Sequence, residues 1–251
     1  MAKIDLNCDL GESFGAYTIG LDDAVIPHIS SANIACGYHA GDPLVMKKTV
    51  ALCKQYGVSA GAHPGYPDLM GFGRRNIAAT PAEVGAYVLY QVGALKAFCD
   101  AAGVALHHVK PHGAMYNMAG RDPALALAIA KAVQAVDPKL TLLALSGSEM
   151  VKAAAQIGLP CASEVFADRG YQADGSLVPR SKPGAMITDE NEAIARVVRM
   201  VKEGKVRAVT GEDVTIRADS VCVHGDGPKA LLFVQKLRAA FEAEGVTVER
   251  F

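Results

Sequence analysis

Tryptophan is absent from this 251-residue chain, and neither sign of charge dominates: 25 Lys and Arg stand against 26 Asp and Glu. A formal net charge of −1, with no long basic run, argues against nucleic acid or an anionic membrane as partner. No apolar run approaches the roughly 18–20 residues a bilayer span requires. The six cysteines, at 8, 36, 53, 99, 161 and 222, include no CxxC pair. Several sit in apolar segments, where a reduced thiol behaves as a small hydrophobe. No GxxxxGK[ST] phosphate loop occurs, no GxGxxG follows a strand, and no HExxH zinc helix is present. Met1-Ala2-Lys3-Ile4-Asp5 enters a strand with no signal peptide, so a cytoplasmic location is expected.

What is present is a 51% apolar chain with 25 glycines, a profile of compact α/β proteins. One domain spanning 1–251 would bury roughly 70–75% of its unfolded surface, ample for a core without cross-links. Strand-like runs fall near 4–10, 32–38, 58–62, 107–111, 140–145, 161–166 and 220–224. Helix-like segments lie between them. Asp42-Pro43 opens one that Gly57 stops, and Thr80-Pro81-Ala82-Glu83 is a capping box opening another that Gly103 stops. Others are expected from Asp122-Pro123 to Asp137, and over 146–157, 188–203 and 227–243. Such alternation predicts right-handed crossovers and a parallel sheet.

Side-chain parity decides between an open sheet and a closed barrel. Ile4, Leu6, Cys8 and Leu10 share one face of the first strand, while Asp5, Asn7 and Asp9 share the other. A sheet covered by helices on both faces would show near-continuous apolar runs instead. The pattern predicts a TIM-like (β/α) barrel of seven strands with a polar upper interior. In such a barrel, strand ends far apart in sequence converge on one mouth. The polar residues at these ends are Asp9 and Glu12, then His39 and Asp42, His63, Lys110 and His112, Glu164 with Asp168 and Arg169, and finally His224 and Asp226.

The chemistry follows from residue type. Buried carboxylates such as Asp9 and Glu12 need pairing, hydrogen bonds or a metal, whereas Asp5 suits a structural role capping loop backbone. His39, His63 and His112 can serve as acid or base. With Asp9 they also form a candidate divalent-metal set, whose ligands would come from separate strands rather than one spaced motif. Lys110 shares the inward face with His112, so it needs an anionic partner: Asp9, Glu164 or a substrate group. Arg74 and Arg75 lie in the long glycine-rich loop 68–79, and Arg169 and Arg180 in the loop 167–183; all four suit carboxylate or phosphate recognition. His224-Gly225-Asp226-Gly227 leads into the last helix, whose N-terminus is a candidate anion site.

In order, the segments DLNCDLGE (5–12), NIACGYHAGDP (33–43), GAHPGYPDLMGFGRR (61–75), KPHGAMYN (110–117), FADRGY (166–171), LVPRSKPGAMI (177–187) and DSVCVHGDG (219–227) resemble the LamB/YcsF family. That resemblance implies a barrel similar to the glycoside hydrolase/deacetylase superfamily. It also implies one component of a bacterial 5-oxoprolinase, the A component, working with subunits B and C. The implied reaction opens 5-oxo-L-proline to L-glutamate with ATP and water, giving ADP and phosphate; ATP would come with Mg²⁺. Two other expectations stand beside it: a metal-dependent deacetylase or amidohydrolase acting without ATP, and a non-catalytic component that binds substrate or scaffolds its partners.

Overall fold

The structure is a computed structural model that describes residues 2–223 and 230–251. In chain order the elements begin with β1 (Ala2–Leu10), α1 (Asp22–Val25), β2 (Ser31–Ala35), α2 (Pro43–Tyr56), β3 (Ser59–His63), α3 (Pro81–Ala102) and β4 (Leu106–Val109). They continue with α4 (Gly113–Ala119), α5 (Pro123–Val136), β5 (Thr141–Leu145), α6 (Glu149–Ile157) and β6 (Cys161–Phe166). The last are α7 (Glu190–Glu203), β7 (Lys205–Arg207), β8 (Asp213–Thr215), β9 (Ser220–Val223), α8 (Ala230–Ala243) and β10 (Val246–Val248).

Strands β1 to β6 pair in sequence order, β6 pairs with β9, and β9 returns to β1, so seven parallel strands close a barrel. β10 adds to the lower end of β1, opposite Ala2, Lys3 and Ile4, and β7 with β8 forms a separate antiparallel hairpin. The parity argument holds in space. Ile4, Leu6, Cys8 and Leu10 are buried in the apolar core that includes residues of the surrounding helices.

The barrel interior is layered and polar. At the bottom, the Asp5 carboxylate accepts from the hydroxyls of Ser30 and Ser31, each at 2.6 Å, and from Ser220. It therefore binds three serine hydroxyls rather than loop backbone. One layer up, Asn7 donates to Ser220 Oγ (2.7 Å) and Asn33 donates to Asn7 Oδ1 (2.7 Å). His108 fills the same layer by lying over Gly61, where a Cβ would fall 2.1 Å from its Nε2. The β3–β4 register shifts between Ala60 and Gly61, skipping His107; this bulge sets His108 opposite Gly61. Every buried amide here finds a partner, so the hydrogen bonds fix the strand register as an apolar interior would not.

The capping box at the start of α3 is formed: Thr80 Oγ1 accepts from Glu83 N–H while the Glu83 carboxylate accepts from Thr80 N–H. Helices α2, α3, α6 and α7 end on Gly57, Gly103, Gly158 and Gly204 in the left-handed conformation. Among the described residues, no helix is long and apolar enough to cross a membrane.

Candidate active site

The top interior layer is built around a buried lysine. Lys110 follows β4 and is 3% exposed. Its Nζ lies 2.7 Å from Glu164 Oε1 and 3.0 Å from Asp9 Oδ1. It also approaches Asn7 Oδ1 and Cys222 Sγ, each at 3.2 Å. Burial works against its charge, but the carboxylates of Asp9 and Glu164 hold its pKa well above the lysine value. It is a fixed cation. On the other side of Glu164, the Tyr116 hydroxyl on α4 donates to Oε2 at 2.6 Å. Burial pushes the Tyr116 pKa well up, and the neighbouring Glu164 adds to the effect. Burial likewise raises the Cys222 thiol far above its ordinary value, which keeps it protonated and no nucleophile.

Beside this cation stand three histidines. His63, the last residue of β3, has Nδ1 2.6 Å from the Lys110 carbonyl oxygen. His112, the N-cap residue of α4, has Nε2 2.8 Å from the Phe72 carbonyl oxygen. Its Nδ1 lies 2.9 Å from His63 Nε2. Asp9 Oδ2 is 3.3 Å from His63 Nε2, and Glu12 Oε1 is 3.7 Å from His112 Nδ1. His39 lies flat on His112, centroids 3.7 Å apart and planes within 3°, with its Nε2 3.4 Å from Glu12 Oε1. Burial, reinforced by His63, pushes His112 down to about 3; burial and the other two histidines push His39 well below the usual value. Burial opposes the charge of Asp9, yet His63 and Lys110 hold it well below the usual carboxylate range. One potential ligand atom each from Glu12, His39, His63 and His112 falls within 4.8 Å of the others, a set able to hold a divalent cation.

The loop after β3 supports these rings. Phe72 has φ +53°, the one positive value among described non-glycine residues, and that turn aims its carbonyl at His112. Gly73 lets the loop pass over the stacked rings: a Cβ there would lie 2.7 Å from His39 Cβ and 2.9 Å from His112 Cδ2.

A cavity of about 650 Å³ opens above, lined by Asp9, Glu12, His63, Lys110 and His112, with arginines at 74, 121, 169 and 180 around it. The candidates from the sequence divide accordingly. His39 is fully buried and backs His112. Glu164 sits beneath Lys110 with no exposure. Arg75 turns away into Asp68, which also accepts from Gly71 N–H, so this pair holds the loop. Arg169 donates to the carbonyls of Ala185 and Val178, closing the loop after β6. Asp168 is half-buried in that loop and does not line the cavity. Arg74 and Arg180 line it. His224 and Asp226, with the expected anion site at the last helix, lie outside the described residues.

Tyr116 and Arg121 join the site without having stood out in the sequence. Tyr116 follows His112 by four residues, the spacing that puts both on one side of α4. Two spacings in the sequence do not form the motifs they resemble. His108 and His112 are four apart, but His108 points down the barrel, 2.8 Å from Asn33 Oδ1. Gly11-Glu12-Ser13-Phe14-Gly15 has the GxSxG spacing of a nucleophile elbow. A Phe14–Tyr17 bridge follows it in place of a helix, and Ser13 Oγ accepts from Ile19 N–H at 3.0 Å.

Comparisons with known proteins cover the whole architecture. A Clostridium beijerinckii protein named as the A subunit of 5-oxoprolinase is 62% identical over 248 residues, covering 99% of this chain and 97% of its own. The Bacillus subtilis protein of that name is 58% identical, covering 99% and 96%. The crystal structure of a lactam utilization protein from Thermus thermophilus superposes with a TM-score of 0.94 at 51% identity, covering 99% of this chain and all of the other. The catalytic domain of a peptidoglycan N-acetylglucosamine deacetylase from Eubacterium rectale has a TM-score of 0.52 at 13% identity, covering 100% of this chain and 88% of its own, a likeness of fold alone. The LamB/YcsF pattern matches residues 4–251, and with these relatives it makes the chain a member of the LamB/YcsF family.

Proposed function

We propose that this chain is the A component of a 5-oxoprolinase, opening 5-oxo-L-proline to L-glutamate with ATP in a complex with subunits B and C. The observation that carries this reading is the near full-length identity to relatives bearing that name. The site suits the chemistry. A five-membered lactam is an unstrained amide with a poor leaving group, so its carbonyl needs activation before water attacks. In this reading the γ-phosphoryl group of Mg-ATP passes to the lactam oxygen and ADP leaves; one water adds to the activated carbon, the C–N bond breaks as the ring nitrogen takes a proton, and a second water hydrolyses the resulting acyl phosphate to carboxylate and phosphate.

Each group takes a role from its position. Arg74, Arg121 and Arg180 at the cavity wall receive the substrate carboxylate or phosphate. Lys110, permanently charged and held by Asp9 and Glu164, stabilises negative charge developing on the carbonyl oxygen. With no ion bound, the converging nitrogens of His63 and His112 mark where the attacking water gives up its proton. If a divalent ion serves this site, Glu12, His63 and His112 are the residues to hold it, and it would supply an acidified water.

The same convergence favours a second reading, an amide hydrolase that acts through a metal and needs no ATP. The test is turnover by the assembled complex carrying Lys110→Met, with folding checked by circular dichroism. Turnover should fall at least ~100-fold, while Arg180→Gln raises KM for 5-oxoproline in a fully folded chain. Wild-type turnover from both variants would overturn the assignment.

A further inference from the structure

Two ring nitrogens in the site, His63 Nε2 and His112 Nδ1, face each other across 2.9 Å. His63 Nδ1 lies 2.6 Å from the carbonyl oxygen of Lys110, and His112 Nε2 lies 2.8 Å from that of Phe72. A carbonyl oxygen only accepts, so each of these nitrogens carries the hydrogen. In neutral rings the lone pairs are then on His63 Nε2 and His112 Nδ1, the two atoms set 2.9 Å apart. Carboxylate oxygens face the same atoms: Glu12 Oε1 is 3.7 Å from His112 Nδ1, and Asp9 Oδ2 is 3.3 Å from His63 Nε2. Four electron-pair donors converge on one point. A proton could join only two of them; a divalent cation joins more.

We infer that this chain binds one divalent transition-metal ion, zinc or a chemical equivalent, through His63 Nε2, His112 Nδ1 and the Glu12 carboxylate. Asp9 flanks the ion, and its remaining position faces the cavity. Two imidazoles and one carboxylate with an open position is a recurrent catalytic zinc set. Donor atoms around a tetrahedral zinc stand about 3.3–3.4 Å apart for bonds of ~2.0–2.1 Å. The spacings of 2.9 and 3.7 Å bracket that value. Fixing the far nitrogen of each ligand histidine on a backbone carbonyl is the usual second-layer arrangement of metal sites. Imidazole donors disfavour Mg²⁺, which prefers oxygen ligands. This ion is therefore distinct from any Mg²⁺ that accompanies ATP.

His39 is excluded as an in-plane ligand. Its ring is stacked parallel on His112 at 3.7 Å, so a cation in the plane of one ring lies outside the plane of the other. Among the described residues neither of its ring nitrogens is hydrogen-bonded, and the ring is fully buried against that of His112.

The inference concerns the site of the proposed oxoprolinase, but it stands on the lone pairs and is read as bound metal rather than turnover, so either can fail alone. The full chain, stripped with chelator, is offered Zn²⁺ and separately Co²⁺, desalted and analysed for metal, with folding checked by circular dichroism. One ion per wild-type chain is expected, with Co²⁺ giving the intense visible absorption of a four- or five-coordinate site, unchanged by excess Mg²⁺. His63→Ala, His112→Ala and Glu12→Gln should each lose the ion, while His39→Gln keeps it. A folded wild-type chain that retains neither metal would overturn the site. Loss in His39→Gln, or retention in both His63→Ala and His112→Ala, would overturn the ligand set.

Discussion

At the scale of single residues, Lys110 is the centre of the account. A buried cation between two carboxylates is weak evidence for stability, but removing it strands both anions. Lys110→Met should therefore destabilise the fold by about 3–5 kcal/mol in urea unfolding; a loss under ~1 kcal/mol would mean the carboxylates are compensated elsewhere. The thiols give a pH prediction that does not depend on the site's own titratable groups. Burial pushes Cys99 up to about 11 and Cys36 and Cys53 up to about 12, while an unfolded chain ionises thiols near ~8.5. A folded pKa above the unfolded one contributes stability that is full below ~8.5 and is lost as pH rises towards the folded values. The melting temperature should fall between about pH 8.5 and 11, and replacing Cys99 by Ala or Ser should soften that fall. Lys110, Asp9 and His112 were legible in the sequence because charge on an inward strand face needs a partner. Tyr116 and Arg121 were not, because only the packing of α4 and its following turn against the barrel brings them to the mouth.

At the scale of elements, the loop between β3 and α3 sets the histidine geometry. Gly73 adopts φ +62°, and a Cβ there would strike the side chains of both His39 and His112. Gly73→Ala should cost more than the ~1 kcal/mol typical of an unfavourable backbone conformation. The excess should appear as loss of turnover or bound metal before loss of fold; unchanged activity and melting would show that the loop does not hold the rings. Helices α2, α3 and α5 begin where Asp42, Thr80 and Asp122 announced them, each with a proline at its start. The short pieces were missed. α4 spans seven residues directly after a strand end, and β7, β8 and β10 have three each, too few to show a period.

At the scale of the whole molecule, seven strands close through β9 and β1 and bring polar residues from Asp9 to Arg169 around one cavity. Alternating parity along β1 signalled a closed barrel, and that fold is what the structure contains. The helical segment before β7 was legible, but the hairpin that follows it, between β6 and β9, lies outside the barrel and left no such signature. The central claim is that this mouth opens a lactam only with ATP and its partner subunits. Its most direct test is glutamate release from 5-oxo-L-proline by the chain, alone and with subunits B and C, each with and without Mg-ATP. The account predicts glutamate, with ADP in equal amount, from the full mixture alone. Glutamate from the isolated chain without ATP would contradict it.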